Sequence, residues 1–186
     1  MKVFVTGGTG LLGNAILRGL NDAGHESVAL VRRSYDSGVF DGIDTEFVTG
    51  DLLNRNLMTS VIEDCDAVVH SAGLIHLGWK RLHESMRVNG EGTRIMVDAC
   101  LRHRRKLVHV GTVNTLAVGT QERPADESTP CGDGGGQVPC SYVLSKRAGV
   151  DAVKHGVSEG LQAVILAPGF MLGPWDWKPS SGRMMM

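Results

Sequence analysis

Two groups of residues in this chain have the types and spacing to do chemistry. Tyr142 and Lys146 stand four apart in "SYVLSKRAG", so on a helix they share one face, a turn apart. A phenol with its ordinary pKa near 10 is a weak proton carrier at neutral pH. A neighbouring ammonium favours the phenolate and lowers that value, so the spacing is expected to make Tyr142 an acid and base. Alone, such a pair is a coincidence of spacing in most proteins, one turn of a surface helix. The second group is Gly7, Gly10 and Gly13 in "VFVTGGTGLLG". Glycines at this spacing, leaving a strand and opening a helix, allow a tight turn and a close backbone approach. A pyrophosphate can then rest on the amides of Leu11, Leu12 and Gly13.

These residues need a frame to bring them together, and the sequence supplies one. "KVFVT", "SVALV", "TEFV", "DAVVH", "KLVHVG" and "LQAVILA" are short, continuous apolar runs, as in strands buried on both faces. Between them, 11–24, 55–64, 81–103 and 141–160 read as helices. Strands alternating with helices predict α/β architecture, a Rossmann-type doubly wound parallel sheet. Ligands bind such sheets at the carboxyl ends of the strands. The segment 117–140, rich in Gly, Pro and charge, is long for a connection and falls beside that edge. The second strand ends "ALVRRS". A site for NAD would carry an acid there; Val31, Arg32 and Arg33 instead suit the 2′-phosphate of NADP.

The bulk numbers exclude several classes. With 186 residues, 42% hydrophobic and 21% charged, and a net charge of −1, the chain has no global pull toward nucleic acid or anionic membrane. The basic run "RHRRK" closes a helix, where cations are favoured by the helix dipole. No stretch reads as a signal peptide or membrane span, so a cytoplasmic protein is expected. The four cysteines, Cys65, Cys100, Cys131 and Cys140, lack metal or redox spacing and are expected to be free thiols. The seven histidines lack ligand spacing too, so no metal is expected. Of these, His70 and His109 end strands and are expected to pack or hydrogen-bond locally.

The glycine loop, the Y-x-x-x-K pair and the element order resemble the extended short-chain dehydrogenase/reductase family over essentially the whole chain. "GDLLN" is similar to its adenine-side segment through Asp51 and Leu52. "VVHSAG" is similar to its strand end at Ala72 and Gly73, departing slightly at Ser71 and Gly73. "RVNGEGT" is similar to its helix motif through Asn89 and Thr93. The resemblance implies that Asp51, Leu52, Ala72, Gly73 and Asn89, with Pro168, line the cofactor. It places Thr112 where the family has an active-site serine, orienting the substrate oxygen, and implies that Lys146 also holds the nicotinamide ribose. The tail "PGFMLGPWDWKPSSGRMM" resembles the dihydroflavonol reductase-like branch, and bacterial relatives called hopanoid-associated sugar epimerases share it. The dehydratases' T-D-E triplet is absent, since Val113 and Asn114 follow Thr112, and Val118 stands where epimerases carry a Tyr. The expectation is an NADP-dependent reductase of a small-molecule carbonyl. The alternatives are a nucleotide-sugar epimerase using NAD and a non-catalytic dinucleotide-binding module. Residues 1–168 are expected to form the cofactor domain, and 169–186 the start of a truncated substrate region, to which Trp175, Trp177 and Met184 to Met186 would belong. The resemblance also implies a possible homodimer through the helices around 82–103 and 141–159.

Overall fold

The computed structural model describes residues 1–32, 34–126, 128–129 and 139–176. Arg33, Cys131, Trp177 and Met184 to Met186 lie outside them. Six strands, β1 (Lys2–Thr6), β2 (Glu26–Val31), β3 (Glu46–Thr49), β4 (Ala67–His70), β5 (Lys106–Val110) and β6 (Ala163–Leu166), form one parallel sheet in the order β3-β2-β1-β4-β5-β6. The inner strands β1, β2, β4 and β5 are Val-rich runs with covered faces, as buried parallel strands should be. The order reverses between β1 and β4, which opens a crevice at their carboxyl ends.

On one face, Phe4, Val28, Val68 and Leu107 pack against Met58 and Ile62 of α2 (Arg55–Glu63), Ile95 and Met96 of α4 (Gly92–His103) and Val153 of α5 (Ser141–Ser158). On the other, Val3, Val5, Ala29 and Val31 pack against Leu17 of α1 (Leu11–Asp22) and against Val39 and Phe40. That second layer stops short of β6, where Val164 and Leu166 are 56% and 50% exposed. No helix among the described residues is long and apolar enough to cross a membrane.

The sequence predicts one helix over 81–103, but the structure breaks it in three. Leu82–Ser85 (α3) runs into a π-helical segment, Met86–Glu91, before α4 begins. An inserted residue of this kind leaves i−4 carbonyls short of donors. Here the Thr93 hydroxyl supplies one, donating to the Asn89 carbonyl at 2.6 Å. The basic run ends α4 as expected, with Arg104 in the left-handed region (φ 54°). A short 3-10 turn, Ser37–Phe40, capped by Asp36, is absent from the sequence reading.

Candidate active site

The glycine loop meets the crevice with an open helix end. Gly10 is the N-cap of α1 and no side chain caps that end, so its first amides are orphan donors. Gly7 has φ +81°, and a Cβ there would lie 2.6 Å from the Ala72 amide nitrogen. A Cβ on Gly13 would lie 2.2 Å from the Gly7 carbonyl oxygen. Gly10 has room, with nothing nearer than 3.5 Å. Tight packing at two glycines and space at the third suit a bound dinucleotide, whose pyrophosphate Leu11, Leu12 and Gly13 would hold through their amides.

A directed hydrogen-bond chain crosses the crevice floor. The Ala72 amide donates to Thr6 Oγ1 (3.1 Å), which lies 2.7 Å from His70 Nδ1, and His70 Nε2 lies 3.1 Å from Thr93 Oγ1. Because Thr93 spends its proton on Asn89, the arrangement that satisfies every member has His70 donating from Nε2 and accepting at Nδ1. His70 is thus a local hydrogen-bonding residue, and its partners fix the strand-end loop to the π-helical segment.

Asn89 completes the clamp. Its Oδ1 accepts from the Leu74 amide (2.7 Å), while Nδ2 donates to the Leu74 carbonyl (2.9 Å) and to Ser145 Oγ (2.8 Å). With both amide protons committed, Asn89 anchors the loop after β4. Nothing in the sequence marked Ser145 or Thr6 as partners, because both contacts join distant segments.

Thr112, Tyr142 and Lys146 converge beyond β5. Thr112 is 6% exposed and caps the turn Val113–Thr115, its hydroxyl accepting from the Asn114 amide. The first amides of α5 are satisfied from outside: Ser141 donates to the Gly78 carbonyl (3.2 Å) and Tyr142 to that of His76 (3.1 Å). This pins the loop after β4 against the helix that carries Tyr142. The Thr112 hydroxyl lies close enough to the Tyr142 phenol to draw its pKa down. One turn on, Lys146 is 5% exposed and donates to the Val110 carbonyl at 2.6 Å.

The electrostatics correct the sequence expectation. Burial raises the Tyr142 pKa above its ordinary value, with Thr112 pulling weakly the other way. Lys146 does not bring it down, because its ammonium turns toward the end of β5. Burial lowers Lys146 itself to about 8.

The remaining predicted residues divide. A Cβ on Gly73 would lie 3.3 Å from Asn89 Oδ1 and 3.6 Å from Lys146 Nζ, so this backbone borders Lys146. Arg32 is exposed just past β2, and the Gly50 amide donates to the Val31 carbonyl, which brings Asp51 to the same end. Asp51 accepts from the Leu53 amide (2.8 Å) and so shapes its own turn. Leu52 turns inward to the core, 9% exposed, so only its backbone can border a ligand. The Pro168 carbonyl accepts from the Val113 amide (3.0 Å), joining the exit of β6 to the Thr112 turn. Trp175 covers the Arg18 guanidinium of α1 at 3.9 Å.

His70 and His109 stack 5.5 Å apart, each 1% exposed. Both nitrogens of His109 lack partners among the described residues. Burial first, then His109 and Lys146, hold His70 well below the ordinary range, while burial and Lys146 lower His109 to about 3. Both are neutral when folded and take up protons on unfolding. Their contribution is complete above the unfolded value near 6.5 and is lost as pH falls toward 3. Urea unfolding at pH 5 is expected to show about 2 to 4 kcal/mol less stability than at pH 7.5. His109→Leu is expected to flatten that slope, and an unchanged slope would contradict the assignment.

The chain belongs to the NAD dependent epimerase/dehydratase family, whose model matches residues 3–186. It is 28% identical over 183 residues to sterol demethylase protein B of Methylococcus capsulatus, covering 97% of this chain and 54% of that protein. Identity is 31% over 185 residues to a Synechocystis protein named provisionally as a dihydroflavonol 4-reductase, covering 95% and 51%. The crystal structure of gox2253 superposes with TM-score 0.86 at 30% identity, covering 98% of this chain and 56% of that one. A nucleoside-diphosphate-sugar epimerase from Pseudomonas aeruginosa superposes with TM-score 0.80 at 27% identity, covering 100% and 57%. The chain thus spans about half the length of the relatives it matches.

Proposed function

We propose that the protein is an NADP-preferring oxidoreductase that reduces the carbonyl of a small-molecule substrate. The observation that carries this reading is the pairing of the buried Thr112 hydroxyl with the half-buried Tyr142 phenol, one helical turn from Lys146. The crevice with the uncapped N-terminus of α1 lies at the same carboxyl edge of the sheet. The nicotinamide supplies the hydride when bound. Thr112 and Tyr142 grip the substrate oxygen, and Tyr142 gives up its phenolic proton as that oxygen gains charge. Burial keeps the proton on Tyr142 at neutral pH, the state a reduction requires. Lys146, held by the Val110 carbonyl, keeps two further donors for ribose hydroxyls.

Relatives named as reductases support the same chemistry, among them the 2-alkyl-3-oxoalkanoate reductase of Stenotrophomonas maltophilia at 30% identity over 179 residues. Arg32 supports NADP, because a guanidinium pairs with a 2′-phosphate where an acid would repel it. Arg32→Ala is expected to weaken NADPH binding about tenfold or more and leave NADH within about twofold. Parallel fluorescence titrations check this. Tighter binding of NADH by the unaltered protein would instead favour the epimerase reading.

A further inference from the structure

A cavity of about 690 Å³ is lined by Val113 and Val143, the chain neighbours of Thr112 and Tyr142, and is within the size range of small-molecule sites. Three segments wall it. Val113, Leu116 and Val118 come from the chain leaving β5, Leu77 from the loop after β4, and Val143 from the first turn of α5. Three of these large apolar side chains, Leu77, Val113 and Val118, are 70%, 42% and 58% exposed. Single exposed apolar residues are ordinary; several converging on one opening mark a surface that something covers. The wall is also built. The Thr120 amide donates to the Arg123 carbonyl (2.9 Å), and the Arg123 amide returns to Thr120 Oγ1 (3.1 Å), closing the turn beside Ala125.

The polar inventory decides what fits. Asn114 contributes the one amide side chain, and no Lys, Arg or His is among the described lining residues. Arg123 belongs to the wall turn but does not line the cavity. A nucleoside diphosphate would bring two negative charges into a space without a cation to meet them, at a large desolvation cost. An apolar body meets no such penalty, and it gains by covering the exposed side chains.

We propose that this cavity takes the apolar body of a ketone, with its carbonyl at the Thr112–Tyr142 end and no phosphorylated group inside. This deepens the reductase reading and rests on it. Binding is separable from chemistry, because the protein saturated with NADP⁺ cannot reduce a ketone. The test measures dissociation constants of straight-chain methyl ketones of increasing length against that complex by calorimetry, with a fused-ring ketone and a UDP-hexose alongside. Affinity is expected to rise about fourfold per added methylene until the cavity fills. The UDP-hexose should not displace the longest ketone. A fused-ring ketone binding tighter or weaker than the chains defines the body's shape, and either result supports the apolar site. Val118→Asp should weaken the longest ketone about tenfold or more and leave the shortest unchanged. Affinity independent of chain length, or displacement by the UDP-hexose, would overturn the proposal. Ketones that bind with this length dependence yet consume no NADPH would leave the cavity assignment standing and sink the reductase reading instead.

Discussion

Tyr142→Phe is expected to lower kcat for carbonyl reduction by about 10³-fold, inside the range for loss of a positioned general acid. The substitution removes one oxygen from a half-buried site and leaves the ring to pack. NADPH affinity should therefore change by no more than about twofold. Stopped-flow reduction and a cofactor titration on the same preparation check both halves. The expectation follows from the Tyr142 environment: burial raises its pKa, so the protonated phenol persists at neutral pH. Among the described residues, the Thr112 hydroxyl is the side chain that draws that pKa down. Turnover retained in the variant would remove the proton-transfer role.

Gly13→Ala is the second large effect. A methyl at that position meets the Gly7 carbonyl oxygen at 2.2 Å, its carbon at 2.6 Å and the Gly8 nitrogen at 3.0 Å. All three are backbone atoms, so none can swing aside, and the turn must open. A loss of about 2 kcal/mol or more in stability is expected. Binding of NADPH and NADH alike should weaken about 10²-fold or more, because the α1 amides leave the pyrophosphate. Gly19→Ala, on the same helix with nothing within 4 Å of the added methyl, is the control. It should stabilise by about 0.5 to 1 kcal/mol. Calorimetric melting separates the two, and a Gly13→Ala protein that binds both nucleotides normally would contradict the crevice assignment.

Much of this frame is legible in the residues themselves. Each strand is an apolar run too short for a helix and bounded by glycine or polar residues, so all six strands lie within two residues of where the pattern puts them. The glycine loop reads correctly because strand, turn and helix are contiguous. What the pattern misses depends on tertiary contact. The π-helical insertion at Met86–Glu91 leaves apolar spacing nearly intact, so the break in 81–103 is silent in sequence. The chain from Ala72 through Thr6, His70 and Thr93 to Asn89 joins residues up to 66 positions apart. The Tyr142–Lys146 spacing correctly places both on one face of α5. It cannot reveal that burial raises the Tyr142 pKa, nor that the Lys146 ammonium is taken up by the Val110 carbonyl. The apolar cavity likewise needs Leu77, Val118 and Val143 to meet from three separate segments.

The most direct measurement is isotope transfer. The protein is incubated with NADPH carrying deuterium at both positions of nicotinamide C4 and the longest ketone that binds, and the product is analysed by mass spectrometry and NMR. A reductase with Tyr142 as acid and Arg32 as the 2′-phosphate partner should place deuterium on the carbinol carbon, one per NADPH consumed. Conversion of a sugar epimer with no net oxidation of cofactor, or an alcohol without deuterium on that carbon, would contradict it.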